Sequence, residues 1–253
     1  MSVSFRTLDA IGIIHFDRAD KLNALDVATF GEFAELSRRV ANDSSIRGLM
    51  FTAAGDRAFS VGADISELSK YSPAQALEVA RFRQSALMTI SSLNIPTLAV
   101  IDGLAMGGGL ELALACTFRV ATHKARFSFP EIKLGLLPGA GGTQRLPKLV
   151  GQARALDLML TARMVEAQEA MTMGLITRLV DNGNDDGVNF LTQITQFSRT
   201  AIGAIIEAVR ASDLSLSDGM KIENQQLSIL NASADAIEGV SAFLEKRPPR
   251  FNQ

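Results

Sequence analysis

"PTLAVIDGLAMGGGLELALACTFRVAT", residues 96–122, decides the fold class. Behind Pro96 the apolar run "TLAVID" reads as a buried strand, and "FRVAT" (118–122) reads as another. Between them Leu110, Leu112, Ala113, Leu114 and Ala115 follow a glycine triplet and read as a short apolar helix. Strand, helix and strand in so short a span favour an α/β core with parallel pairing.

The same alternation continues outward in both directions. "VSFRTL" and "IGIIHF" read as a hairpin turning at Asp9 and Ala10. Asp26 is a candidate N-cap for a helix carrying Phe30, Phe33, Leu36 and Val40, which "NDSS" ends before the strand "RGLMFTA". After the small-residue loop "GDRAFSVGADIS", Pro73 opens a helix running to about Leu93. Beyond "LGLLPGAGGTQRLP" the chain reads as helical, with a break near "DNGNDDG". "AIGAIIEAVRA", "MKIENQQLSIL" and "ADAIEGVSAFLEK" are amphipathic and need a surface to cover their apolar sides, either the core or another subunit.

Composition narrows the classes of function. The chain has 253 residues, 47% of them hydrophobic and 21% charged, which suits a core-bearing globular protein. A net charge of -2 argues against a broad nucleic-acid or anionic-membrane surface. One cysteine, Cys116, excludes an internal disulfide, and with only His15 and His123 no zinc-like cluster forms. The N-terminus has no secretion-signal pattern, and the richest apolar stretch carries Asp102 and Glu111, so a cytoplasmic protein with no membrane span is expected.

Chemistry concentrates in the same central stretch. Gly107, Gly108 and Gly109 can serve as a tight turn, or can present helix N-terminal N–H groups to an anion. No strand-linked G-x-G-x-x-G and no Gly-Lys-Ser/Thr ending accompanies them, so a developing oxyanion fits better than phosphate. Glu111 falls one turn into the helix among apolar neighbours, where burial would raise its pKa toward acid/base use. Glu131, behind Pro130, reads alone as a loop acid or cap; converging with Glu111 it would complete an acid/base pair. Ser60 and Ser128 lack a G-x-S-x-G elbow, His15 reads as a strand residue, His123 as a surface turn, and the nine methionines as core filler.

"FSVGADISEL" (59–68), "IDGLAMGGGLELALAC" (101–116), "FSFPEIKLGLLPGAGGTQRLPKLVG" (127–151) and "AFLEKR" (242–247) together resemble the crotonase superfamily, most closely its enoyl-CoA hydratases. The resemblance runs from "RADKLNALD" (18–26) to "EKR" in the family's order. It implies a spiral of repeated β-β-α units over residues 1–190 with the active site. Residues 191–253 would be a helical region for oligomerisation, as a trimer or dimer of trimers.

It further implies that a thioester carbonyl sits between the N–H groups of Ala63 and Gly108, Glu111 acts as base toward water, and Glu131 delivers a proton to the α-carbon. Coenzyme A would be part of the substrate, and no metal or separate cofactor is implied. Arg18, Lys21 and the backbone of Asn23, Ala24 and Leu25 would contact it, with Gly62, Asp64, Ile65, Gly107 and Leu136 around the acyl-CoA. Phe243 and Lys246 match positions that reach a neighbouring subunit's CoA.

Keeping both acids favours hydration over double-bond isomerisation, the nearest alternative; a non-catalytic CoA-binding or assembly subunit is a second. The chain departs from many relatives at Thr117, where they carry Asp, and at Leu104, where they carry an aromatic residue. Acyl preference would depend on the residues after "GADISEL", around Phe82, and on Leu136 and Leu137.

Overall fold

The computed structural model describes residues 2–251. An antiparallel hairpin of β1 (Val3–Leu8) and β2 (Ile11–Phe16) opens the chain, followed by α1 (Val27–Ala41). A unit then repeats. β3 (Gly48–Ala53), β4 (Ala58–Ser60), α2 (Ile65–Leu68) and α3 (Pro73–Ser91) form the first turn of the spiral. β5 (Thr97–Ile101), β6 (Leu104–Met106) and α4 (Gly108–Ala115) form the second. β7 (Phe118–Thr122), β8 (Arg126–Ser128), a 3-10 turn at Glu131–Leu134, α5 (Gly142–Val150) and α6 (Gln152–Thr161) form the third. After β9 (Val165–Glu166), α7 (Ala167–Thr172), β10 (Arg178–Val180) and α8 (Gly183–Thr195), the chain ends in α9 (Arg199–Arg210), α10 (Leu216–Asn231) and α11 (Ala234–Leu244).

Each repeat gives its first strand to one sheet and its second to another. The larger sheet has the order β1-β2-β3-β5-β7-β10, parallel from β2 onward. The smaller has the order β4-β6-β8-β9, in which β4, β6 and β8 run parallel. This is the spiral of β-β-α units that the resemblance implied, and the small sheet is its functional part. Three parallel neighbours end side by side, so the residues just beyond β4, β6 and β8 meet although they are distant in sequence.

Strand periodicity divides the core into two clusters. Ile11, Ile13, Met50, Leu98, Val100 and Val120 face α8 with Phe190 and Leu191. Their alternates Ile14, Phe16, Leu49, Phe51, Ala99, Ile101 and Ala121 face the main core with Phe30 and Phe33. Period-2 alternation thus buries both faces, which is why these strands read as continuous apolar runs. α1 starts where expected, with Asp26 Oδ1 accepting from Thr29 N at 2.8 Å. Ser72 and Gln75 close a capping box on α3, with Pro73 in its first turn.

The break near "DNGNDDG" covers only its first two residues, between β10 and α8. Only Asp181 and Asn182 precede α8, and the glycines are its contact face: a Cβ on Gly183 or Gly187 would lie 3.1 or 2.7 Å from the Val100 methyls. Glycine here permits close helix-on-sheet packing rather than ending a helix. Residues 190 and 191, where the helical region was expected to start, lie inside α8 and pack on the large sheet. The helices that leave the sheet begin with α9. Among the described residues no helix is long and apolar enough to cross a membrane.

α4 is aimed by a buried cation at its far end. Arg119, 5% exposed, donates through Nη1 to Ala113 O and Cys116 O and through Nε to Leu175 O. A positive charge at the C-terminal carbonyls complements the helix dipole and satisfies carbonyls that the helix cannot. Thr117 and Thr97 lock the junction beyond it, each backbone N–H donating to the other's hydroxyl.

Candidate active site

The ends of β4, β6 and β8 build the site. Beyond β6, Gly107 adopts φ 48° and ψ −125°, and its N–H donates to Ser128 O at 3.0 Å. A Cβ there would be 2.7 Å from Glu131 Oε1. One on Gly109 would be 2.5 Å from Ser60 O, so glycine is required at 107 by backbone geometry and close approach and at 109 by close approach.

Beyond β4, Gly62 crosses over the start of α4, where a Cβ on it would stand 2.8 Å from Gly108 N. Among the described residues neither the Ala63 N–H nor the Gly108 N–H finds an acceptor. Two unpaired N–H groups on adjoining loops, one at a helix N-terminus, form a pocket for partial negative charge.

The loop 18–25 braces this arrangement. Leu25 N donates to Gly62 O and Asp64 N to Leu25 O, a parallel bridge that leaves the Ala63 N–H free between them. Buried Asn23 accepts from Arg18 N and donates to Ala54 O and Ala58 O. Arg18 Nη1 bonds Ala24 O and Asp26 Oδ2, the latter at 2.6 Å, so its guanidinium is a strut within the loop. Lys21 is exposed. Asp64 caps α2 by accepting from Ser66 N at 3.0 Å.

The two acids face one cavity in different environments. Glu111 is 3% exposed, and its Oε1 accepts from Ala140 N and Gly142 N, both at 2.7 Å. Burial raises its pKa, and the two N–H groups with Arg145 and Arg83 oppose the rise by favouring the carboxylate. Glu131 has a buried Oε2 with no hydrogen-bond partner. Burial, reinforced by the nearby Glu111 charge, lifts its pKa to about 7. A carboxyl oxygen lacking donors favours the protonated form, whereas one holding two N–H groups favours the ionised form. Both carboxyls are thus shifted toward the protonated form, Glu111 held through Oε1 by two backbone N–H groups and Glu131 with its Oε2 unpaired.

Ala63, Ile65, Gly107, Gly108, Glu111, Glu131 and Leu136 all line this cavity, and Gly62 stands directly behind it. Arg18, Lys21, Asn23, Ala24, Leu25 and Asp64 lie in the adjoining loops outside it. Phe243 and Lys246, at the end of α11, do not line it either; Phe243 is 83% exposed. Leu137 is at the wall, but Phe82 packs toward Gly31 of α1 instead. Ser60 accepts from Gly62 N, Ser128 donates to Ala162 O, and His15 Nδ1 pairs with Thr52 Oγ1, so no Ser-His pair exists among them.

Among the wall residues that the sequence reading did not single out for the site are Phe30, Tyr71 and Arg83. Arg83 had a readable signal. It interrupts the inward stripe Val79, Arg83, Ala86, Leu87 and Ile90 of α3, as Glu111 interrupts that of α4.

Comparison with known proteins agrees with this geometry. The sequence profile described as enoyl-CoA hydratase/isomerase matches residues 6–253. A probable enoyl-CoA hydratase of Mycobacterium tuberculosis is 38% identical over 244 residues, covering 95% of this chain and 94% of that protein. A crotonyl-CoA hydratase of Syntrophomonas wolfei is 34% identical over 251 residues, covering 96% and 95%. The crystal structure of an enoyl-CoA hydratase from Bacillus anthracis superposes with a TM-score of 0.96 at 31% identity, covering 99% of each chain. This chain belongs to the enoyl-CoA hydratase/isomerase family.

Proposed function

We propose that the protein hydrates a trans-2-enoyl-CoA reversibly to a 3-hydroxyacyl-CoA. One observation carries this reading: two carboxyl groups in opposed environments share a cavity with two unpaired backbone N–H groups. The N–H groups of Ala63 and Gly108 hold the thioester oxygen and stabilise enolate character as it develops. Ionised Glu111, fixed through Oε1, takes a proton from water as the oxygen attacks the β-carbon. Glu131 gives its proton to the α-carbon. The product leaves Glu111 protonated and Glu131 ionised, and proton exchange resets the pair. Coenzyme A enters as part of the substrate, and these steps use no other group.

The loop 18–25 and the segment 62–65 are the proposed cradle for the pantetheine and adenine portions, with Lys21 the exposed cation there. The C-terminal helices leave Leu216, Met220, Leu227, Ile237, Val240 and Phe243 more than half exposed in one chain. Such faces need cover, which supports assembly as a trimer or dimer of trimers, in which Phe243 and Lys246 would reach a neighbour's CoA.

Incubation with crotonyl-CoA and with a 3-enoyl-CoA, followed by mass analysis, tests the reaction. A water adduct of crotonyl-CoA is expected. A moved double bond without mass change would make the protein an isomerase, and CoA binding without turnover would make it a non-catalytic subunit.

A further inference from the structure

Arg83 is the most unusual group in the cavity wall. It is 8% exposed, yet none of its N–H groups donates a hydrogen bond among the described residues, and Nε and Nη2 are buried without hydrogen-bond partners. Its nearest carboxylate oxygen, Glu67 Oε2, is 3.7 Å from Nη2 and already accepts from Val27 N and Tyr71 Oη. Phe30 covers one face of the guanidinium, 5.4 Å from Cζ to the ring centroid.

The molecule shows how it treats an arginine kept for structure: buried Arg119 donates to three backbone carbonyls. A buried cation with unused donors is costly, because each unsatisfied group has lost its water without a replacement. Its placement in the wall of the substrate cavity gives those donors a use.

We propose that Arg83 selects the acyl group, pairing with a carboxylate carried at the far end of the enoyl chain. This rests on the hydratase reading of the same site. With the thioester oxygen at Ala63 and Gly108, and the reacting carbons at Glu111 and Glu131, the end of the acyl chain is what remains to meet α3. Ile65, Val79, Leu134 and Leu137 line the cavity with apolar surface for methylenes, and Arg83 supplies its cation. A guanidinium presents a planar fork that matches a carboxylate, and such charge-assisted bonds are stronger than neutral ones. Glu67 stays occupied by Val27 N and Tyr71 Oη.

The test compares 4-carboxybut-2-enoyl-CoA with 5-methylhex-2-enoyl-CoA, in which two methyl groups replace the carboxylate oxygens. The purified protein is expected to favour the carboxylated substrate in kcat/KM. Arg83→Met, which is close in length, should lower the ratio of charged to neutral kcat/KM by about 10- to 100-fold, the range of a hydrogen bond to a charged group. Arg83→Lys keeps a cation and should lower it less. An unchanged ratio in Arg83→Met overturns the proposal, as does a wild-type preference for the methyl analogue.

Calorimetric titration with the saturated analogues, 4-carboxybutanoyl-CoA and 5-methylhexanoyl-CoA, reads the same preference without chemistry. If neither enoyl substrate gains water but the carboxylated analogue binds more tightly through Arg83, the hydratase reading fails and this one stands. If hydration proceeds with no Arg83-dependent preference, the reverse holds.

Discussion

Replacing Glu131 by Gln should change how stability depends on pH. The folded protein holds the Glu131 proton up to about pH 7, against an ordinary value of 4.5. The unfolded chain therefore releases this proton first, and stability falls as pH rises between those values. The contribution is complete below the unfolded value and gone above the folded one. Taken at face value the difference corresponds to about 3 kcal/mol, and contact of the carboxyl with a solvent-connected cavity reduces this to ~1–2 kcal/mol. Glutamine is neutral throughout, so Glu131→Gln removes the dependence, while Glu111 titrates in both proteins.

Urea unfolding of both proteins at one fixed concentration, at about pH 5 and about pH 8, measures it by linear extrapolation. The wild type should lose ~1–2 kcal/mol relative to the variant across that interval. A wild-type-minus-variant difference that stays constant would refute a buried, protonated Glu131.

Activity should follow the same group: kcat/KM for hydration of crotonyl-CoA is expected to decline as pH rises through about 7, the value to which Glu131 is lifted. A flat profile through that range would remove Glu131 as proton donor. Glu111→Gln keeps an oxygen for Ala140 N and Gly142 N, so it should fold normally while hydration drops about 10²- to 10⁴-fold. Glu111→Ala strands both donors and should also cost ~1–3 kcal/mol for each on urea unfolding; equal stability of the two variants would contradict the buried anchoring. Gly107→Ala combines φ 48° with a Cβ 2.7 Å from Glu131 Oε1. It should cost ~1–3 kcal/mol in backbone strain alone and abolish most turnover, and a fully active, equally stable variant would show that the turn relaxes freely.

The fold class was legible because it depends on local periodicity. Apolar runs at Thr97–Ile101 and Phe118–Thr122 around a helix beginning at Gly108 imply parallel strands wherever they fold. Misreading arose where glycine served packing. Gly183 and Gly187 look like a break in one dimension and are a contact face in three, because only their distance to Val100 reveals their use.

For the site, residue order set Glu111 one turn beyond the glycines, since a helix fixes that relation by itself. Its meeting with Glu131, twenty residues on, and with the N–H of Ala63, across two strands, came into the sequence reading only through resemblance. Pairing of β4, β6 and β8 sets three loop ends side by side, and no local signal encodes that adjacency. The contrast in hydrogen bonding between the acids likewise came from the tertiary structure. It arises because backbone donors from residues 140 and 142 reach one carboxyl and none reach Oε2 of the other. Arg83 was visible as a charge in an apolar stripe, but its unused donors appeared only once every neighbouring oxygen was in place.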